Sequence, residues 1–182
     1  MTAVTTPRVE PTPAFESATR VAVVAALSAT TMLFASLVSA YLVRRSFADW
    51  RPAPAVWPLV LLILASWASM GLEVASRSEG TKQARGFMSL ALASGLYLIG
   101  ALAVILSIAL GPGGLKAPHN AFIVMLLGVH VAHAILGAAF ATWVLRDAAG
   151  GPSENSLLLA RLVTHFLTAL LFAIVFLLFV LQ

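Results

Sequence analysis

The segment that decides the fold is GVHVAHAILG, residues 128–137, which lies inside an apolar run from Ala121 to Leu145. A helix of this length crosses the roughly 30 Å hydrocarbon layer of a bilayer, so His130 and His133 are predicted to lie near the middle of the membrane. Polar side chains are costly at that depth, and residues three positions apart share one helix face. Both imidazoles are therefore predicted to face other helices rather than lipid.

The composition places the chain in a membrane. Apolar residues make up 60% of the sequence and charged residues only 10%, whereas charged residues are about 25% of a soluble domain. The 11 basic residues outnumber the 7 acidic residues, which gives a formal net charge of +4. The basic residues stand in short groups beside apolar runs, where they meet lipid headgroups. Nucleic-acid binding is therefore not predicted. The absence of cysteine excludes disulfides, thiolate metal sites and cysteine nucleophiles.

Five apolar segments predict an all-α integral membrane bundle of five transmembrane helices. The helices are predicted at about residues 21–43, 56–75, 87–110, 121–145 and 157–181. Residues 1–18 are predicted to form a disordered cytoplasmic tail, and residues 19–182 the transmembrane domain. Val38-Ser39-Ala40 resembles a signal-peptidase site, but the apolar stretch is longer than that of a signal peptide, so the first helix is predicted to be retained.

The distribution of lysine and arginine predicts the orientation. If the amino terminus is cytoplasmic, seven basic residues fall on the cytoplasmic side and four outside, as the positive-inside rule favours. The cytoplasmic residues are Arg8, Arg20, Arg77, Lys82, Arg85, Arg146 and Arg161, and the outer residues are Arg44, Arg45, Arg51 and Lys116.

Two groups of side chains at helix ends are candidates for contacts. The turn between the first two helices is predicted to contact lipid headgroups or neighbouring subunits through Arg44, Arg45, Arg51, Trp50 and Trp57. Glu73 stands four residues before Arg77, which predicts an ion pair at the membrane surface. A proton-carrying role for Glu73 is the alternative.

His130, His133 and His165 are the mid-membrane side chains able to bind a metal. Two histidines on facing helices could clamp a haem b, and three could hold copper or iron. The favoured prediction is structural: the imidazoles bond to neighbouring helices, which Gly128 and Gly137 allow to approach closely. The hydroxyl residues predicted as partners are Thr164, Thr168, Ser94 and Ser107. A small transporter is a further alternative, although five helices do not divide into equal halves and no charge lies near the midplane.

These motifs resemble subunit III of the haem-copper oxidases. GVHVAHAILG is similar to the family's glycine, paired histidines and closing glycine, and Thr164-His165-Phe166 to its Trp-His-Phe. Further similar segments are Ser39-Ala40-Tyr41, Trp50-Arg51-Pro52, Trp57-Pro58, Leu64-Ala65-Ser66 and Gly95-Leu96-Tyr97. The match extends over all five helices. It resembles the short form of the family, found in bacterial quinol and cytochrome oxidases and in nitric-oxide-reductase-associated homologues.

The chain departs from the family's pattern at polar positions inside the helices. Ala29 stands where the first helix of the family commonly has a glutamate, and Thr168 where the last helix usually has an aspartate. The third helix has Leu102 and Ile105 where polar and acidic residues are often found. These differences indicate a divergent member that keeps the packing role rather than proton uptake through buried carboxylates.

The resemblance implies a non-catalytic accessory subunit of a terminal oxidase in the bacterial inner membrane, part of aerobic respiratory electron transport. It implies that haem and copper belong to partner subunits, among them catalytic subunit I, and that this chain binds phospholipid. The sequence leaves open whether the electron donor is cytochrome c or quinol, whether the substrate is oxygen or nitric oxide, and whether the complex joins a larger respiratory supercomplex.

Overall fold

A computed structural model of the protein describes residues 13–47, 56–146 and 154–180. Within these ranges the chain forms five long helices and one short 3-10 turn at Gly114–Lys116, and it contains no strand. The long helices are α1 (Pro13–Arg45), α2 (Val56–Ser76), α3 (Gly80–Leu110), α4 (Pro118–Arg146) and α5 (Glu154–Val180). All five are long and apolar enough to cross a membrane, so the predicted all-α transmembrane bundle is confirmed.

Several helices begin earlier than the hydropathy pattern predicts. α1 starts at Pro13, inside the predicted tail 1–18, and α3 starts at Gly80 rather than near residue 87. Hydropathy marks only the part of a helix that lies in hydrocarbon, whereas backbone hydrogen bonding continues through polar residues with adequate helix propensity. Proline suits the first turn of α1 because its missing N–H has no intrahelical partner there. Residues 1–12 of the tail lie outside the described residues.

Four of the helices form a closed ring. α2 packs against α3, α3 against α4, α4 against α5, and α5 returns to α2. α2 and α3 run antiparallel, because Ala75 near the end of α2 meets Gly86 near the start of α3, while Leu61 meets Gly100. The ring brings side chains from four different helices to a shared interior.

α1 lies outside this ring, against α4 and α5. Phe34 and Tyr41 are each 2% exposed and pack with Ile123, Leu126 and Ile174. Only 11% of the α1 membrane window is buried within the chain. Most of the α1 surface is therefore left to lipid or to another protein.

Candidate functional site

His130 links three helices of the ring. Its side chain is 2% exposed. Nε2 lies 2.9 Å from the carbonyl oxygen of Leu167 on α5, and Nδ1 lies 2.5 Å from the hydroxyl of Tyr97 on α3. A carbonyl oxygen only accepts hydrogen bonds, so Nε2 carries the proton and donates, and Nδ1 accepts from the Tyr97 hydroxyl. Both ring nitrogens are therefore engaged by neighbouring helices.

His133 does not share this site. Its Nδ1 donates to the carbonyl oxygen of Val129 in its own helix at 2.8 Å. The ring meets Phe34 of α1 edge-on, with ring centroids 5.9 Å apart. Phe34 also meets the His130 ring edge-on, with ring centroids 6.4 Å apart, so both histidines contact α1. They differ in their hydrogen bonds, because His130 bonds to α3 and α5 whereas Nδ1 of His133 bonds within α4.

His165 lies at the seam between α2 and α5. Its Nδ1 meets the hydroxyl of Ser69, and its Nε2 is 3.3 Å from Oε2 of Glu73. The side chain is 46% exposed, in contrast to that of His130. The three histidines that were predicted to lie in mid-membrane thus do not converge on one point. Across residues 13–47, 56–146 and 154–180, no three histidine, cysteine, aspartate or glutamate side chains are grouped as a metal ion would require.

The hydroxyl groups of Thr164, Thr168 and Ser107, predicted as hydrogen-bond partners of the histidines, have other partners in the structure. Thr164, Thr168 and Ser107 each donate to a backbone carbonyl of their own helix, over distances of 2.8 to 3.0 Å. Serine and threonine in helices commonly donate to a carbonyl of the preceding turn. The Thr168 hydroxyl also lies 3.4 Å from the carbonyl oxygen of Ala65 on α2, a longer contact between α5 and α2. The observed partners are instead Tyr97 for His130 and Ser69 for His165.

Glu73 connects α2 to α5. The predicted ion pair with Arg77 is present. The carboxylate also accepts two hydrogen bonds from Arg161 of α5, from Nε to Oε2 at 2.8 Å and from Nη2 to Oε1 at 2.7 Å. Sequence reasoning did not pair Arg161 with Glu73, although an arginine in the second turn of an apolar helix needs a counter-ion. With His165 beside it, this cluster supplies the polar contact between α2 and α5.

Some helix glycines lie in close contact with a neighbouring helix, and others have open space beside them. A methyl group at Gly137 would lie 2.8 Å from the Leu167 side chain, so this glycine sits at a helix contact as predicted. A methyl group at Gly128 would meet nothing within 4 Å, so the predicted contact at Gly128 is absent from the described chain. The tightest approaches between two helices are at Gly71 and Gly86, which sequence reasoning did not single out. Their mirrored placement about the α2–α3 loop is the signal that could have found them.

The turn after α1 is described only in part. The guanidinium of Arg44 lies 4.8 Å from the centroid of the Phe47 ring. Nη1 of Arg45 is buried without a hydrogen-bond partner among the described residues, and Trp57 is 56% exposed. Trp50 and Arg51 lie outside the described residues. The contact of this turn with headgroups or neighbouring subunits stays a prediction.

Comparison with known proteins leaves the chain without a matched relative. No family model matches the sequence, and no curated protein or solved structure matches it. The function of the bundle is therefore argued from its residues and their geometry.

Proposed function

We propose that the chain is a non-catalytic accessory subunit of a respiratory haem-copper terminal oxidase, similar to subunit III. It spans the bacterial inner membrane with its amino terminus in the cytoplasm, packs against catalytic subunit I and binds phospholipid. Haem, copper and the reduction of oxygen belong to the partner subunits. The order and spacing of the motifs along all five helices support this proposal, GVHVAHAILG above all.

The observation that carries the proposal is that both ring nitrogens of His130 form hydrogen bonds to neighbouring helices. A haem or metal ligand needs a ring nitrogen free to coordinate. Here Nε2 donates to the Leu167 carbonyl and Nδ1 accepts from Tyr97. Coordination through either nitrogen would leave a buried polar group without its partner, which is costly in the middle of a bundle. The imidazole thus binds α3, α4 and α5 together, as a packing role requires.

The outer surface of α1 is suited to a partner. Large apolar side chains that the described residues leave uncovered, such as Met32 at 72% exposure, lie beside the small exposed residues Ala29 and Ser36. Ser36 donates to the carbonyl of Met32 in its own helix, so its hydroxyl is satisfied without water. Small residues with satisfied hydroxyls let helices approach closely within a membrane. This supports a place for α1 beside another membrane subunit or its lipids.

Co-purification tests the proposal. The chain is tagged in its native host, the membranes are dissolved in mild detergent, and the recovered proteins are identified by mass spectrometry. The expected result is recovery of a haem-copper catalytic subunit, whose haem accounts for all the reduced-minus-oxidised absorbance of the sample. The matched control is the same purification from an untagged strain.

Two outcomes would contradict the proposal, and each points to an alternative function. A haem band in the purified chain alone, lost on His130→Ala, would make it a haem-binding membrane anchor. Solute flux into vesicles that contain only this chain would make it a small transporter. Recovery of the chain with no oxidase subunit at all would equally overturn the accessory role.

A further inference from the structure

The ring of α2, α3, α4 and α5 encloses a cavity of about 350 Å³. It extends from Phe87 and Thr142 at one end to Tyr97 and His130 at the other. Thr142 and His130 are twelve residues apart on α4, which corresponds to about 18 Å along a helix axis. Pockets that hold small ligands between helices begin at about this size, roughly 300 Å³.

Small residues on all three of α2, α3 and α4 create this space. Alanine or glycine occupies eight of the eighteen lining positions. They include Ala65 on α2, Ala91 and Gly95 on α3, and Ala134, Ala138 and Ala141 on α4. A methyl group at Gly95 would meet no atom of the described residues within 4 Å. Protein interiors rarely leave such a volume empty, so a cavity built from several helices at once indicates an occupant.

The polar groups of the lining have almost no hydrogen-bond donors to offer. These groups are Ser94, Tyr97, His130, Thr142, Thr164 and Thr168. The three threonine hydroxyls donate to carbonyls of their own helices. Tyr97 donates to His130, and His130 donates to the Leu167 carbonyl. A ligand whose carbonyl groups need several donors, such as a quinone ring, is poorly matched here, whereas a hydrocarbon chain needs none.

The cavity reaches the surface between α3 and α4. Ala91 on α3 and Thr142 on α4 are the lining residues classed as exposed. Both lie within the candidate membrane spans, Gly80–Leu110 and Pro118–Trp143. Thr142 is one residue from the end of its span, so an opening at this level lies at the outer edge of the acyl region, next to the lipid headgroups. The occupant therefore enters from the lipid.

We propose that this cavity holds one acyl chain of a membrane phospholipid, which enters between α3 and α4 and ends near His130. The chain length spanned, the apolar lining and the lipid-facing opening all match a hydrocarbon tail. This inference rests on the proposed function for its membrane setting and lipid binding. It adds the place of the acyl chain inside the ring of α2, α3, α4 and α5, apart from the outer surface of α1 that is proposed to face a partner.

Photocrosslinking tests the site. The full-length chain is reconstituted in vesicles of phosphatidylethanolamine and phosphatidylglycerol, with a trace of phosphatidylethanolamine that carries a diazirine near the end of one acyl chain. After irradiation, adducts are mapped by peptide mass spectrometry. Adducts are expected on the lining residues Gly95 and Ala134, in addition to outward-facing residues such as Ile99, which is 69% exposed.

Two glycines give a matched pair of variants. Gly95→Leu fills the cavity and is expected to reduce the adducts on Ala134 about tenfold, equal to about 1.4 kcal/mol of lost binding. Gly128→Leu is the control, because it also enters open space but lies outside the cavity lining. It is expected to leave the Ala134 adducts unchanged, and both variants should keep the adducts on Ile99. If Gly95→Leu does not fold, Ala138→Leu takes its place.

Adducts confined to outward-facing residues would overturn the proposal. Lining adducts that persist in Gly95→Leu and Ala138→Leu would do the same, as would equal labelling by a ubiquinone probe that carries a diazirine on its ring. The result is independent of the co-purification experiment, because no catalytic subunit is present in the vesicles. A failure of this inference and a failure of the accessory role are therefore told apart.

Discussion

Gly86→Ala is expected to destabilise the bundle although it adds a single methyl group. That methyl would lie 2.5 Å from the backbone nitrogen of Ala75 and 2.8 Å from its Cα. Carbon atoms pack at roughly 3.5–4.0 Å, so α2 and α3 must separate by about 1 Å. The obstacle is backbone, which no change of side-chain rotamer can relieve. Overpacking of this kind costs about 3 kcal/mol at the upper end of its usual range.

Helix propensity offsets part of that cost, since alanine is favoured over glycine by about 1 kcal/mol inside a helix. The net loss expected for Gly86→Ala is therefore about 2 kcal/mol. Gly95→Ala is the matched control in the same helix, because its methyl meets nothing within 4 Å. It should be neutral or stabilising by up to about 1 kcal/mol.

The assay is reversible unfolding in mixed micelles by titration with a denaturing detergent, with helix content followed by circular dichroism. The two variants are measured beside the unchanged protein, and their free energies of unfolding are compared. Equal effects of the two substitutions would refute the reasoning, because the close backbone contact would then make no difference. A stabilised Gly86→Ala would refute it as directly.

The same titration tests the polar contacts. Tyr97→Phe is expected to cost about 1 kcal/mol, because Nδ1 of His130 loses its donor, and a double-mutant cycle with His130→Leu should show coupling rather than additive losses. Arg161→Met is expected to lower the free energy of unfolding by about 2 kcal/mol, and Arg77→Met by less than about 1 kcal/mol. The difference is expected because the Arg77 side chain is 70% exposed and that of Arg161 is 30% exposed. Adding Glu73→Gln to Arg161→Met should restore part of the stability by removing the carboxylate left with weaker pairing. No recovery would contradict the role assigned to that charge.

The residues of the candidate site could be predicted from the sequence, but their partners on other helices could not. The sequence singles out His130 because an imidazole in an apolar run needs a partner. It does not identify that partner, because Tyr97 is brought to His130 by the packing of α3 against α4. The same holds for Glu73, where Arg77 follows from spacing along one helix and Arg161 requires the packing of α5 on α2. Contacts within a helix are fixed by residue spacing, and contacts between helices are not.

The sequence by itself determined the number and type of the helices, because a segment that crosses hydrocarbon must satisfy its backbone internally and must be apolar. It also indicated that His130 lies deep in the bundle, where its side chain is buried. Only the tertiary structure decided that His130 and His133 have different hydrogen-bond partners, that Gly86 rather than Gly128 makes a close contact, and that small residues on several helices surround one cavity. The physical reason is that the hydropathy of a segment reports whether a helix lies in lipid or in water. Which face of that helix contacts which neighbouring helix is set by side-chain packing among all the helices of the bundle.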